Sequence, residues 1–511
     1  MWRLSLGCSL PTLLLGCAAV GPDYVRPEVD TPQAWRVDYQ QAAGMADTRW
    51  WAQFSDPVLD RLIETALREN YDVRIAAARI EQFLGQLRTA RSTFFPQIGA
   101  AAATGGLRET EAGPGPFPSN VSNPFNFYEL ELNTNWEIDV FGRIRRATES
   151  ARAQVFSAEE IRLAVILSVV TGVASSYIAL RALDRQLEIS HATARNYGET
   201  KRIFDLRFKE GIVGQVEVAQ VESQYQEALA AIPAFERQIA LQENLLSILL
   251  GRNPAPILRG KAIDQLASPG IPSGLPSSLL DRRPDIRATE QDLIAANAQI
   301  GVARSLYFPT ISLTSLVGTA SVALSSLFTG PAGVWALSAA ATVPVFTFGN
   351  IEGQVQAAEA VQRQALERYR QTILGAFREV NDALIGTQKS REELIALGLR
   401  VAALQDFARL AQQRFDEGVT SYLEVLVAQN ELFSAELAHT LTQADSLTQL
   451  VNVYKAMGGG WVIEAETIAP NPTSDRRLNV SRADGQNARL RANGTTGEER
   501  HGQASWPSVQ E

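Results

Sequence analysis

The sequence predicts an α+β membrane protein in which one structural plan is used twice. Each half places two β-strands in an oligomeric transmembrane barrel and continues into a pair of long α-helices. Three observations carry this prediction. The chain repeats itself at a nearly fixed offset, one segment alternates apolar and acidic residues with period two, and two proline-free runs are each long enough to reach roughly 100 Å as helix.

The repeat comes first because it organises the rest. "FKEGIVGQVEV" lies over "FDEGVTSYLEV" at an offset of 207, Gly211 to Gly418, and the same offset carries "VFGRIRR" from Val140 onto "TFGNIEG" from Thr347. Upstream, "TARSTFFPQI" matches "VARSLYFPTI" at an offset of 213, Pro96 to Pro309, and "YDVRIA" matches "PDIRAT" in that register. The six-residue difference lies between Pro96 and Gly142, so the first half has the longer loop there. Four matched stretches in one order make an internal duplication. A proline-rich stretch over 254–276 joins the halves, which are expected at 51–260 and 261–465.

Residues 1–16 read as a signal peptide, with Arg3 and a short apolar run from Leu10 to Leu15. The run ends in "LLLGC", which resembles a bacterial lipobox with Cys17 as the lipidated residue, so 17–50 is expected to be a lipidated arm. Leu15 is bulkier than the small residue usual in such boxes; the alternative is an ordinary signal peptide containing an incidental cysteine. Ala18 after the cysteine, by resemblance to lipoproteins, implies sorting to the outer membrane. Asp56 before Pro57 is an N-cap and N1 pair opening the first helix, which must stop before Phe95-Pro96.

In "YELELNTNWEIDV", residues 128–140, Tyr128, Leu130, Leu132, Thr134, Trp136, Ile138 and Val140 alternate with polar residues, four of them carboxylates. That is a strand with one apolar and one hydrated acidic face. Trp335, Leu337, Val343 and Val345 match it in the second half, and 97–108 and 310–323 can supply one partner strand each. Four strands cannot close a membrane barrel, and unpaired edges are costly in hydrocarbon, so the chain must donate its strands to an oligomer.

Residues 143–210 and 350–417 then read as the long helices. The run 163–180 is uncharged and at the lower edge of membrane-span length, but its counterpart 370–387 carries Arg378, Glu379 and Asp382, so 163–180 is expected to be a packed helix seam rather than a membrane span. From 420 a heptad seam runs through Leu423, Leu426, Asn430, Phe433, Leu437, Thr440, Ala444, Leu447, Val451 and Tyr454. Pro233 is expected to bend the first return helix. Residues 466–511 read as a polar, disordered tail.

Composition argues against other classes. A net charge of −9 gives nucleic acid no basic face, and both cysteines, Cys8 and Cys17, lie in the first twenty residues. The three histidines stand far apart, and neither a nucleophile elbow nor a Walker loop is present. Neither catalytic nor metal-ligating residues nor a cofactor are therefore expected, apart from the lipid on Cys17.

Several phrases resemble the TolC-like outer membrane efflux proteins, their lipoprotein branch in particular: "LLLGCAAVGPDYVRPEV", "WWAQFSDPVLDRLIETAL", "WEIDVFGRIRR", "LLDRRPDIRATEQDL" and "YKAMGGGW". The resemblance implies a homotrimer whose twelve strands form one outer-membrane barrel continued by an α-helical tunnel across the periplasm. It implies a periplasmic adaptor protein and an inner-membrane pump as partners, besides outer-membrane lipid. Gly211 and Gly418 match the family's tip glycines, where the adaptor docks. Glu424 matches the first acidic position of the closing ring. Val427 stands at the second such position, and Asn430 where close relatives can have arginine. The expectation is a carboxylate ring of Glu424 and Glu217 backed by an apolar constriction at Leu423 and Val427. A trimeric adhesin would place its strands together at the C-terminus, unlike the two separated pairs here. A channel for type I protein secretion uses the same scaffold, but the lipobox and the Gly-Gly-Gly-Trp ending resemble drug and metal efflux channels more.

Overall fold

The computed structural model describes residues 19–32, 34–37, 49–110, 112, 122–271, 278–458 and 461–469. Cys17, the signal peptide and residues 470–511 lie outside them.

Two hairpins build one four-stranded antiparallel sheet in chain order: β1 (Gln97–Leu107), β2 (Phe125–Ile138), β3 (Thr310–Ser321) and β4 (Gly333–Thr342). The hairpins share a register: Gln97 faces Asn135 in the first and Thr310 faces Thr342 in the second, and those pairs are related by the offsets 213 and 207. β4 stops at Thr342, so Val343 and Val345 lie beyond the strand rather than in it; Pro344 between them has no amide to continue the ladder.

Below the sheet, α1 (Pro57–Glu69) and α2 (Tyr71–Ser92) precede β1, and α3 (Arg143–Lys209) and α4 (Gln215–Leu249) follow β2. The second half has α5 (Leu279–Arg282), α6 (Pro284–Ser305), α7 (Asn350–Asp416), α8 (Tyr422–Met457) and a short α9 (Trp461–Glu466). α3 and α7 are each 67 residues long, begin after left-handed Gly142 (φ 84°) and Gly349 (φ 83°), and end one residue short of the expected boundary. Each therefore extends about 100 Å. α4 runs unbroken through Pro233.

The first helix is not continuous as expected. Asn70 ends α1 and caps α2, its side chain accepting from the amides of Asp72 and Val73. Asn70 also donates to the Leu249 carbonyl at 2.9 Å, so α2 starts where α4 stops. The second half repeats this joint with different chemistry. Arg283 donates to the Ala456 carbonyl at 3.1 Å, which brings the start of α6 to the end of α8. Left-handed Gly251 and Gly458 complete the two joints; a Cβ on Gly251 would lie 2.2 Å from the Glu69 carbonyl.

Neighbouring helices fix the order of the wall. Beneath the strands α2 packs on α3, α3 on α6 and α6 on α7, the order of the strands above them; further down, α4 packs on α3, α3 on α8 and α8 on α7. The chain thus has one edge made of β1, α2 and α4 and another made of β4 and α7.

The main core gathers midway along α3. Ile166, Val170, Val173 and Tyr177, from the apolar run, are buried against α1, the turn Trp50–Phe54 and the C-terminal segment. Trp50 stacks on Tyr454 at 5.1 Å and meets Trp461 edge-on at 5.9 Å. Asp56 is fully buried there and caps α1, accepting also from Tyr177 Oη at 2.7 Å and the Lys261 amide at 3.0 Å. The first residues of the stretch expected to be a disordered tail are packed instead: Glu466 pairs with buried Arg162 at 2.7 Å, and Ala469 is buried in this core.

Candidate functional site

The sheet separates two chemistries. Directly opposed residues share a face, so Ala102, Leu130 and Thr319 stand together, as do Leu132, Val317 and Trp335. This apolar face is open: Leu132 is 50% exposed, Val317 56% and Trp335 80%. Glu129, Glu131 and Asn133 alternate onto the other face, opposite Ala103, Ala101 and Gly99. One surface suits hydrocarbon and the other water, as the period-two pattern required.

The N-terminal arm reaches the junction of sheet and helices. The Val20 amide donates to the Phe141 carbonyl at 3.0 Å, and Ala19 lies so close to Gly142 that a Cβ there would come within 2.5 Å of it. Buried Arg146 donates to the carbonyls of Val20 and Gly21 and pairs with Asp23 at 2.7 Å. Farther along, Tyr24 donates to Glu290 at 3.1 Å, so the arm lies along α6.

At the far end of the long helices stand the two hairpin turns. Gly211 (φ 70°) and Gly418 (φ 74°) end α3 and α7 in the same way. The Ile212 amide bonds the Arg207 carbonyl at 2.8 Å and Gly211 bonds Phe208; Val419 bonds Arg414 at 2.9 Å and Gly418 bonds Phe415. These are paired Schellman closures, which need a left-handed residue after the cap. Their apolar residues nevertheless face outward: Ile212 is 70% and Val419 65% exposed.

The hairpins are held together by aromatic packing. Tyr422 lies 4.3 Å from the Phe204 ring and 5.0 Å from Phe415, and Arg207 sits over both phenylalanines. Nothing in the sequence marked this cluster beyond the matching Arg-Phe pairs before each glycine. It also shifts the seam of α8: Tyr422, Val425 and Leu426 are buried, whereas Leu423 is 53% exposed, and Asn430 and Leu437 are only half-buried. The expected heptad run holds from Thr440 through Ala444, Leu447, Val451 and Tyr454, and at Leu426 and Phe433.

Leu423 and Val427, four residues apart, face out together. Glu217 and Glu424 occupy the same place, the third residue of α4 and α8, where a carboxylate complements the helix N-terminus. Their surroundings differ. Glu424 accepts from Arg414 at 2.7 Å and from the Thr420 hydroxyl, so it is a paired carboxylate. Among the described residues none makes an ion pair with Glu217, because the equivalent arginine, Arg207, is spent on the phenylalanine faces. Sequence spacing could not reveal the Arg414–Glu424 pair, since its members are ten apart and meet only across the turn. Among the described residues no group of three or more His, Cys, Asp or Glu comes together as a metal site would need.

A sheet of this kind above paired hairpins has known counterparts. The family model described as outer membrane efflux protein matches residues 62–252 and 275–459. The chain belongs to that family. It is accordingly an outer-membrane transport channel and not an enzyme. It is 34% identical over 460 residues to the solvent efflux pump outer membrane protein SrpC of Pseudomonas putida, covering 88% of this chain and 97% of that one. It is 31% identical over 472 residues to the probable outer membrane lipoprotein SilC of Salmonella typhimurium, covering 90% and 100%. Among solved structures, the open state of the Neisseria gonorrhoeae MtrE outer membrane channel matches with a TM-score of 0.78 at 29% identity, covering 87% of this chain and 99% of that one.

The phrases of the sequence that resembled this family converge in space. Arg283 of "RRPDI" lies against Gly458 at the end of "YKAMG", and Trp50 and Trp51 of "WWAQF" pack on Trp461.

Proposed function

We propose that three copies of this chain form the outer-membrane exit duct of a tripartite efflux pump, a passive conduit for small molecules delivered by an inner-membrane pump through a periplasmic adaptor. The observation that carries this reading is the open four-stranded sheet. It has an apolar face, a hydrated face and two edges that no other strand pairs among the described residues, and it stands on a helical wall whose outermost helices lie on the same sides. Closing both edges with copies of itself satisfies the backbone groups that hydrocarbon would leave unpaired. Three copies give twelve strands, with the apolar face outward to lipid. The equal registers and helix lengths of the halves support an internal duplication.

Cys17 carries the lipid in this reading. Ala19 is at the sheet–helix junction, and two residues span at most about 7 Å, so the anchor would sit at the membrane boundary. The hairpin turns at Gly211 and Gly418 take the adaptor, with Ile212 and Val419 as apolar contacts. Glu217, Leu423, Glu424 and Val427 line the closing aperture, Glu424 held by Arg414 and Glu217 left to act as the open carboxylate.

Native mass spectrometry in detergent gives the subunit count, and planar-bilayer recording tests the aperture. Glu217→Gln should lower cation selectivity, and Arg414→Gln should raise the open probability by freeing Glu424. A monomeric protein without conductance would sink the proposal; unchanged selectivity and gating in both variants would remove these residues from the aperture.

A further inference from the structure

The two halves meet inside the chain along α3 and α6, and the contact has a polar signature. Arg287 of α6 forms an ion pair with Glu160 of α3; their side chains are 27% and 8% exposed. Gln299 of α6 donates to the Ser150 hydroxyl of α3 at 2.9 Å, so the helices run antiparallel. The structure relates α3 to α7 by 207 residues without a gap, since both are 67 residues long between equivalent glycines. It relates α2 to α6 by 213, since both are 22 residues long and begin at equivalent joints.

Those relations carry Arg287 onto Arg74 and Glu160 onto Glu367. Both residue types are retained, although neither position makes this contact within the chain. Arg74 is exposed on α2, beside the Tyr71 ring. Glu367 is exposed on α7, its side chain 68% accessible, and takes Arg370 on its own helix at 2.9 Å. The face around them behaves likewise. Ser150, Ser157 and Glu160 are buried beneath α6, while their counterparts Ala357, Gln364 and Glu367 are exposed. By packing order α2 and α7 are the outermost helices of the wall beneath the strands, although Trp35 and Arg36 of the arm touch α7 at Phe377 and Asn381. The Gln299–Ser150 bond is not carried over, because Ala357 replaces the serine.

We infer that Arg74 of one copy pairs with Glu367 of the next, taking at the junction between copies the place that Arg287 and Glu160 take between the halves. The strands give an independent check. The same relations carry the Leu132–Val317 pair of β2 and β3 onto Ala339 of β4 opposite Thr104 of β1 in a second copy. Ala339 is on the face of Trp335 and Leu337, and Thr104 is on the face of Ala102. The apolar band therefore continues across the subunit boundary, where a slip of one residue would set it against the hydrated face.

The inference rests on the ring-shaped oligomer proposed above, and the experiment separates the two. Arg74→Cys and Glu367→Cys are introduced singly and together into the full chain, and outer membranes are treated with a short bismaleimide. The double variant should give covalent dimers and trimers on a denaturing gel, and each single variant should give monomer. An intact trimer whose double variant does not cross-link would overturn this junction while leaving the oligomer standing; a monomeric protein would overturn both. For the ion pair, Arg74→Glu and Glu367→Arg should each reduce the trimer surviving mild heating in detergent at least twofold, and the double reversal should restore it. A double reversal no more resistant than either single change would overturn the pairing.

Discussion

Arg283 makes one joint of the molecule and is only 6% exposed. Its guanidinium reaches the Ala456 carbonyl, Asp285 at 2.6 Å and Glu379 at 2.8 Å. Burial alone would lower its pKa, but the two carboxylates more than offset that, so it stays charged. Arg283→Met should cost about 3 kcal/mol, because a buried carbonyl and two carboxylates lose their donor. Thermal unfolding in detergent checks this, and Arg283→Lys should recover only part of the loss, having no planar fork. Asp60 behaves oppositely. Burial raises its pKa, aided by the charges of Asp56 and Glu64. A carboxyl with a raised folded-state pKa favours the fold while protonated, below the ordinary aspartate range, and that advantage is lost as pH rises through the raised value. Asp60→Asn should therefore be more stable than the native chain at pH 7 and indistinguishable from it near pH 3, as melting curves at the two pH values would report.

At the scale of elements, the ends of the long helices marked by glycine were legible to within a residue. Gly142, Gly211, Gly349 and Gly418 each adopt the left-handed backbone that punctuates a helix. Gly418→Ala should cost roughly 1 kcal/mol, confined to the turn. Hydrogen exchange at the amides around Val419 should accelerate about fivefold while the global melting temperature holds. What the sequence hid was chemistry that depends on distant partners. Asn70 reads as a polar residue within a helix until the Leu249 carbonyl turns it into a joint. Glu424 reads as a free carboxylate until the turn brings Arg414 to it. Leu423 fits the heptad on paper, yet Tyr422 takes the packed position because two phenylalanines wait across the hairpin.

For the whole molecule, the sheet fixes which side meets lipid. Leu337 and Ser338 are adjacent on β4 but belong to opposite faces; Leu337 shares its face with Trp335, and Ser338 bonds Thr314 at 2.6 Å. In the proposed barrel, Leu337→Arg should destabilise the assembly by about 2–4 kcal/mol per copy at the bilayer centre. Ser338→Arg should leave unfolding nearly unchanged and alter conductance instead, so denaturation and single-channel recording together separate the faces. The strand pattern showed this division directly in the sequence. The proposed oligomer has only a deficit behind it in the sequence, four strands where a membrane barrel needs more.

The matched lengths of α3 and α7 make the protein a gauge. Both helices start at the foot of the sheet and end in the same closure, so the two hairpins reach one level. Seven residues added to α3 and seven to α4 would lower one hairpin by about 10 Å and leave a stepped rim. The same insertion in α7 and α8 as well would restore a flat rim farther from the membrane. Whatever meets this end of the molecule must therefore read two distances at once: how far away the rim is, and whether its neighbouring points agree.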